Sequence, residues 1–246
     1  LRVDMIEGLE HQLGEPLEAS VLTALQTVPR EAFVDDTPYA NAASEEAGTR
    51  ALAPATVARL LTALDADAED DVLVVGAGVG YTSAALAEIV GPRRVHAIDI
   101  DHRAVRLARS NLADAGYDAV LVDRRDGAGG LPEYAPYDRV LVEAAVVAPP
   151  RALCDQLAER GRIVYPRGTA AQTIVAVEPS GTVAHPGATD AGRSGTSADD
   201  RAPDGFGTAA EFGPARPRPA PAGGAQSGAD RDRARRRDAR CATRGR

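Results

Sequence analysis

Apolar residues in this sequence occur in short runs that alternate with helical patterns from residue 72 onward. Strands are predicted at six apolar runs: 72–75, 95–98, 119–122, 140–142, 163–165 and 173–177. Helices are predicted between these runs and before them, at 3–14, 18–28, 55–64, 82–90, 103–115 and 150–160, with an irregular stretch at 35–54. Strands that alternate with helices form a parallel sheet covered by helices. We therefore predict an α/β fold with a doubly wound, mostly parallel sheet.

The hydrophobic pattern ends at about residue 178. Residues 179–246 contain no Leu, Ile, Met, Tyr or Trp and consist mainly of Ala, Gly, Arg, Pro, Asp and Ser. Such a segment buries too little apolar surface to offset its chain entropy, so we expect residues 179–246 to be disordered. A second hypothesis is that this segment results from the translation of a GC-rich gene in the wrong reading frame. Residues 1–70, with N-terminal helices and a substrate-side loop, are expected to form one domain with the α/β core at 71–178.

The charged residues divide at the same position. Residues 1–178 hold 28 Asp and Glu against 16 Arg, residues 179–246 hold 8 against 12, and the chain has no lysine. The acidic body argues against nucleic acid as a partner. The Arg-rich stretch at 231–246 is interpreted as a solvated charge run rather than as a nucleic-acid arm.

The cysteines and the lengths of the apolar runs indicate the cellular location of the protein. Cys154 and Cys241 lie far apart and offer neither a disulfide framework nor a metal-ligand spacing, so we predict no metal site and expect a reducing cytoplasm. No apolar run is long enough for a membrane span, and no signal peptide is visible. The chain begins at Leu1 rather than Met, so we expect its natural start to lie elsewhere. We expect a monomer.

The most informative segment joins the first two strands of the alternation. The first apolar run leads into Gly76, Gly78 and Gly80, a helical stretch follows, and the next strand ends on Asp99. Gly76 allows a sharp turn, and Gly78 has no Cβ, so a ligand can approach the backbone. The helix that begins near Tyr81 offers free N–H groups, and Asp99 stands where a carboxylate would meet ribose hydroxyls. This pattern predicts a nucleoside-binding unit.

The spacing of the glycines separates two kinds of nucleoside cofactor. The dinucleotide pattern requires its third glycine at position 81, whereas this chain has Tyr81 there and its third glycine at Gly80. A tyrosine would crowd the close packing of helix and strand that the dinucleotide pattern allows. The segment therefore favours S-adenosyl-L-methionine over NAD. A glycine turn without a ligand is the structural alternative.

Three predicted strand ends carry candidate ligand contacts. Gly76–Gly80, Asp99 and Asp126 all follow strands, and ligands bind at the carboxyl ends of strands in sheets of this class. Their convergence predicts a single site. Glu143 also follows a strand and is a further candidate for a substrate contact, whereas Asp101 is predicted to cap the helix that follows it.

With these residues in place, the sequence resembles the protein-L-isoaspartate O-methyltransferase family over residues 20–178. The resembling segments are Val-Pro-Arg-Glu-Ala-Phe-Val at 28–34, the glycine-rich stretch at 73–83, Arg-Ser-Asn-Leu at 109–112, Gly-Tyr at 116–117, Asp-Gly at 126–127, 135–145 and 157–166. The resemblance implies a Rossmann-like methyltransferase that uses S-adenosylmethionine to methylate the carboxylate of isoaspartyl residues in damaged proteins or peptides. The ester then closes to a succinimide, which reopens partly to normal aspartate.

The resemblance also implies roles for individual residues, while no catalytic acid or base is assigned. Gly76, Gly78 and Gly80 would wrap the methionine part of the cofactor, and Asp99 would bind the ribose hydroxyls. Asp126, with the backbone of Gly127, would face the adenine. Gln172 falls where the family has a glutamine near the site.

One segment departs from the family pattern. The family has Gly-x-Thr-Ile-Ser-x-Pro before the first helix of the cofactor domain, with its serine beside the substrate carboxylate. Residues 48–54 read Gly-Thr-Arg-Ala-Leu-Ala-Pro, so Leu52 stands at the serine position and Arg50 at the threonine position. Leucine forms no hydrogen bond through its side chain, whereas arginine pairs with carboxylates in a bidentate way. Three interpretations stay open: Arg50 binds the substrate, a methyltransferase of this fold acts on another substrate, or the chain binds the cofactor without catalysis.

Overall fold

The computed structural model describes residues 2–14, 16–168, 172–179 and 206–209. The helices of this part of the chain are α1 Arg2–Leu13, α2 Ala19–Thr27, α3 Pro54–Leu64, α4 Tyr81–Val90, α5 His102–Asp114 and α6 Arg151–Cys154. The strands are β1 Ser44–Glu46, β2 Thr49–Ala51, β3 Val72–Val75, β4 Val95–Asp99, β5 Leu121–Arg124, β6 Tyr137–Val142, β7 Leu157–Arg167, β8 Thr173–Pro179 and β9 Phe206–Ala209. Short 3-10 helices lie at Arg30–Ala32, Pro92–Arg94, Gly127–Gly129 and Pro132–Tyr134.

Strands β3 to β9 form one sheet in the order β5-β4-β3-β6-β7-β8-β9. Strands β5, β4, β3, β6 and β7 run parallel, and β8 and β9 add to one side in antiparallel pairing. The chain proceeds outward from β3 to β5 and then returns to place β6 on the other side of β3. This reversal confirms the predicted doubly wound sheet. It creates a ligand crevice at the carboxyl ends of β3 and β6.

Alternate residues of β3 pack on opposite faces of the sheet. Val72 and Val74 belong to a hydrophobic cluster that includes buried residues of α1 to α5. Leu73 and Val75 belong to a second cluster, which includes Leu153 of α6. Both faces of the strand are covered, as its continuous apolar run predicts. The N-terminal helices therefore share a core with the sheet.

The helix predicted at 150–160 is wrong in its second half. Helix α6 ends at Cys154 and strand β7 begins at Leu157. Gly161, which directly follows the predicted helix, lies inside β7, where a Cβ would come within 2.9 Å of the Tyr137 carbonyl oxygen. The pairing of β6 with β7 shifts register just after Tyr137. The glycine therefore serves the close approach of two strands at an irregularity.

Three other segments differ from prediction, and one of them is β6, which begins at Tyr137 rather than at residue 140. The stretch 35–54 is not irregular throughout, because β1 and β2 form an antiparallel hairpin in which Glu45 is paired with Arg50. Strand β5 begins two residues later than predicted, because the Val120 N–H closes a turn onto the Tyr117 carbonyl.

The segment 179–246 lies outside the described residues apart from Pro179 and 206–209. Residues 206–209 form β9 and pair with β8, and the expectation of disorder for the segment stays a prediction. The out-of-frame hypothesis also stays a prediction, because the other residues that it concerns lie outside the described part of the chain. The Arg-rich stretch at 231–246 lies outside it as well.

A buried amide ties the loop after β5 to the start of β7. Gln156 Nε2 donates to the Gly129 carbonyl at 2.9 Å, and Gln156 Oε1 accepts the Leu131 N–H at 2.9 Å. The Leu131 carbonyl in turn accepts the Tyr137 hydroxyl at 2.7 Å. Asp126 lies in the same loop, so Gln156 supports the side of the crevice that this loop forms.

We expect Gln156→Leu to lower the free energy of unfolding by about 2 kcal/mol, because the buried Leu131 N–H and the part-buried Gly129 carbonyl lose their partners, and a fully buried group costs about 1–3 kcal/mol. Urea unfolding measures this change. Gln26→Ala, at an exposed position of α2, is the control and should change stability by less than about 0.5 kcal/mol. Equally small changes in both variants would contradict the supporting role of Gln156.

Candidate functional site

The turn after β3 lies at the centre of the crevice. The N–H groups of Gly76 and Ala77 both donate to the Ile98 carbonyl, at 2.8 and 3.0 Å, which fixes the turn to β4. Gly78 has a φ of +52°. A Cβ on Gly78 would lie 3.4 Å from the Arg50 carbonyl oxygen. The missing side chain leaves a small hollow above the turn, which we call the Gly78 hollow.

Gly80 and Tyr81 begin helix α4. A Cβ on Gly80 would lie 3.2 to 3.3 Å from Leu112 and Ala108, so this glycine allows α5 to approach closely. The Tyr81 ring is buried and meets the Phe33 ring edge-on, with centroids 5.7 Å apart. No side chain caps the first turn of α4. Its N–H groups are therefore available to an anionic group.

Asp99 lies at the end of β4, and both of its carboxylate oxygens accept backbone N–H groups. Oδ2 accepts from Gly78 at 3.2 Å and Oδ1 from Asp101 at 2.9 Å. Asp101 accepts the Arg103 N–H at 2.8 Å, which confirms its predicted role as the cap of α5. Between the two acids, Ile100 is 65% exposed. Its apolar surface suits a flat base, and sequence reasoning did not single it out.

The loop after β5 folds back over the end of β3. Asp126 is exposed and accepts the Ala128 N–H at 3.0 Å. A Cβ on Gly127 would lie 2.5 Å from Val75 Cγ1, so the Gly127 backbone contacts the residue directly before Gly76. The structure thus brings three of the predicted groups to one crevice: Gly76–Gly80, Asp99 and Asp126–Gly127.

The residues predicted for the substrate side are separated. Arg50 has an exposed side chain on β2, and its carbonyl borders the Gly78 hollow. Leu52 is partly buried against the core. Gln172 is exposed and precedes β8, three strands from β3, which is roughly 14 Å at about 4.8 Å per strand. Arg50 therefore borders the crevice, whereas Gln172 lies farther along the same edge of the sheet.

Arg30 joins the N-terminal segment to the glycine turn. Its side chain is buried, with Nε donating to the Pro38 carbonyl at 2.8 Å and Nη2 to the Leu52 carbonyl at 2.6 Å. Its Cζ lies 4.4 Å from the centre of the Tyr81 ring. Burial lowers the pKa of this guanidinium, and the Tyr81 hydroxyl opposes the shift. Arg30 thus holds the segment that carries Arg50 against the start of α4.

Glu143 follows β6, and its N–H donates to the Val75 carbonyl at 2.9 Å. The residue as a whole is partly buried, but Oε1 is shielded from solvent and has no hydrogen-bond partner within the described chain. Burial raises the pKa of the carboxyl to about 7, with the Thr82 hydroxyl lowering it and the Asp99 carboxylate raising it. The sequence marks Glu143 as a strand-end acid, but its burial is visible only in the structure.

This carboxyl should make stability depend on pH. Its pKa rises from 4.5 to about 7 on folding, so between these values the folded chain holds a proton that the unfolded chain releases. The free energy of unfolding therefore falls as pH rises through this window, by about 3 kcal/mol at most. Glu143→Gln should remove this fall. Urea unfolding of the wild type and of Glu143→Gln at about pH 5 and about pH 8 measures this change. If the two proteins differed in stability by the same amount at both pH values, the raised pKa of Glu143 would be contradicted.

The described part of the chain offers neither a metal site nor a membrane-spanning helix. Among those described, no group of three or more His, Cys, Asp or Glu side chains is arranged to hold a metal ion, and no helix is long and apolar enough to cross a membrane.

Comparison with known proteins places the chain in a family. The sequence model of protein-L-isoaspartate(D-aspartate) O-methyltransferase matches residues 3–185. The chain belongs to this family. It is 41% identical over 193 residues to the protein-L-isoaspartate O-methyltransferase of Aeropyrum pernix, covering 74% of each chain. It is 39% identical over 189 residues to that of Bordetella avium, covering 74% of this chain and 70% of the relative.

Solved structures related to the protein-L-isoaspartate(D-aspartate) O-methyltransferase family have the same fold. A protein-L-isoaspartate O-methyltransferase aligns with a TM-score of 0.64 at 24% identity, covering 72% of this chain and 60% of that one. A candidate enzyme of this name from Plasmodium falciparum, in complex with S-adenosyl-L-homocysteine, aligns with a TM-score of 0.62 at 19% identity, covering 71% and 88%. The resemblance stated from sequence is confirmed, and the chain is an S-adenosylmethionine-dependent O-methyltransferase.

Proposed function

We propose that this chain methylates the carboxylate of isoaspartyl residues in damaged proteins, with S-adenosylmethionine as the methyl donor. The observation that carries the proposal is the convergence of the glycine turn, Asp99 and the Gly127 backbone at the crevice where the strand order reverses. Curated relatives that match most of the chain bear the corresponding enzyme name.

The residues of the crevice fit the cofactor. The Gly78 hollow would be filled by a Cβ, and the uncapped first turn of α4 suits the cofactor carboxylate. Gly76 and Gly80 shape the same turn, Asp99 suits the ribose hydroxyls, and Asp126 with the Gly127 backbone suits the adenine. The bound cofactor supplies a methyl group on a positively charged sulfur atom.

The substrate carboxylate requires a partner on the segment between β2 and α3. Arg50 is exposed beside the Gly78 hollow and offers a guanidinium, whereas Leu52 offers no polar group. An ionised carboxylate is already nucleophilic at neutral pH, so the site needs to position the substrate rather than supply a general base. Gln172, farther along the same edge, is proposed to contact the peptide that carries the carboxylate.

A cellular compartment, an oligomeric state and a class of partner are also proposed for the enzyme. We place it in the cytoplasm as a monomer that acts on proteins or peptides and not on nucleic acid. Cys154 is buried and free, which suits a reducing compartment. The excess of acidic residues over arginine in residues 1–178 disfavours nucleic acid.

Transfer of labelled methyl groups to an isoaspartyl peptide tests the proposal. Wild type should label the peptide, and Arg50→Ala should raise KM for the peptide by about tenfold or more while leaving the affinity for S-adenosylmethionine unchanged. Arg59→Ala, at an exposed position of α3, is the matched control and should behave as wild type. Labelling only by Leu52→Ser would overturn the proposal for the natural chain, and labelling of a different acceptor would favour another substrate.

A further inference from the structure

Glu143 stands beside the glycine turn, on the side opposite Asp99. Strands β4 and β6 flank β3, and the residue that precedes Glu143 is paired with Val75. The Glu143 N–H continues this pairing by donating to the Val75 carbonyl at 2.9 Å. A Cβ on Gly76 would lie 3.4 Å from Glu143 Cβ. The backbone therefore holds Glu143 at the turn itself.

The carboxylate of Glu143 faces the Gly78 hollow. Its Oε2 lies 3.9 Å from the point that a Cβ on Gly78 would occupy. Its Oε1 is buried without a hydrogen-bond partner among the residues that the structure describes. Asp99 differs, because both of its oxygens already accept backbone N–H groups. Of these two acids, Glu143 is the one with an oxygen that accepts no hydrogen bond within the described chain.

A buried carboxylate with an unpartnered oxygen is unfavourable as an anion, so the group either keeps a proton or gains a cation beside it. Among the described residues, the groups that act on this carboxyl or border the hollow supply no cation: Thr82 offers a hydroxyl, Asp99 is itself an acid, and Arg50 presents its carbonyl to the hollow. We therefore expect the ligand to supply the positive charge.

We propose that the Glu143 carboxylate binds the α-ammonium group at the methionyl end of S-adenosylmethionine. The uncapped first turn of α4 begins in the same turn and suits the carboxylate of that end. The two opposite charges of the methionyl group thus meet complementary groups on neighbouring elements. Glu143 acts as a binding and positioning residue for the cofactor rather than as a substrate contact. This inference rests on the cofactor part of the proposed function.

Calorimetry with three ligands tests the inference. S-adenosylmethionine and S-adenosylhomocysteine both carry the ammonium group, whereas 5′-deoxy-5′-methylthioadenosine lacks the amino-acid end. Glu143→Gln should bind the first two about 10- to 100-fold more weakly than wild type and the third equally well. Glu159→Gln, at an exposed position of β7, is the matched control and should bind all three as wild type does.

Other patterns would overturn the inference. A loss confined to S-adenosylmethionine would move the contact to the sulfonium, and an equal loss for all three ligands would make Glu143 a structural residue. Unchanged binding of all three by Glu143→Gln would remove any role in cofactor binding. If wild type bound none of the three ligands, the proposed function itself would fail, which separates the two failures. Thermal unfolding of Glu143→Gln without ligand checks that the variant is folded.

Discussion

Gly78→Ala is expected to weaken S-adenosylmethionine binding by about 100-fold or more, which is about 3 kcal/mol. A Cβ at this position would occupy the Gly78 hollow, 3.4 Å from the Arg50 carbonyl oxygen and 3.9 Å from Glu143 Oε2. The φ of +52° adds strain, since alanine in the left-handed region costs roughly 1–2 kcal/mol. The free energy of binding should therefore decrease by more than the free energy of unfolding does. Calorimetry and urea unfolding measure the two changes separately.

Gly91→Ala is the matched control for this experiment. Gly91 has a φ of +96°, so alanine is strained there as well, but no atom lies within 4 Å of the added Cβ and the residue follows the far end of α4. This variant should lose stability and keep its affinity for the cofactor. Equal losses of affinity in the two variants would show that backbone strain, rather than the filled hollow, weakens binding.

Arg30→Met is expected to lower the free energy of unfolding by about 3 kcal/mol or more, a large share of the stability of an ordinary domain. Two partly buried carbonyls, of Pro38 and Leu52, would lose their donor, and the stacking of the guanidinium on the Tyr81 ring would be lost. Because the Leu52 carbonyl belongs to the segment that carries Arg50, KM for the peptide should also rise more than the dissociation constant of the cofactor.

Urea unfolding and steady-state kinetics check these two effects of Arg30→Met. Arg59→Met removes an exposed arginine and should change stability by less than about 0.5 kcal/mol. If Arg30→Met were as stable as Arg59→Met, the buried guanidinium would not be holding the segment.

The centre of the fold and of the site could be predicted from the sequence because both depend on local patterns. The apolar run of β3, the glycines after it and the acid at the end of β4 are neighbours in the chain, and each has a local physical meaning. Asp101 is a similar case, since a cap requires only the helix that follows it. The doubly wound sheet follows from the alternation of such units.

The features that were missed depend on contacts between distant parts of the chain. Residues 157–160, Leu-Ala-Glu-Arg, favour a helix by composition, but Leu157 is paired with Tyr137 and the pairing with β6 resumes at Arg162, so the stretch between them is part of β7. Arg30 is buried because residues 38, 52 and 81 surround its guanidinium. Glu143 is shielded where the glycine turn after β3 and Thr82 of α4 lie against its side chain. Periodicity carries no information about such contacts.

The account is tested most directly by methyl transfer to two peptides that differ only in one aspartyl linkage. With labelled S-adenosylmethionine, the wild-type chain is predicted to label the isoaspartyl peptide, to release the label in mild base as expected of an ester, and to leave the normal aspartyl peptide unlabelled. Equal labelling of the two peptides, or no labelling of either by a chain that binds the cofactor, would contradict the account.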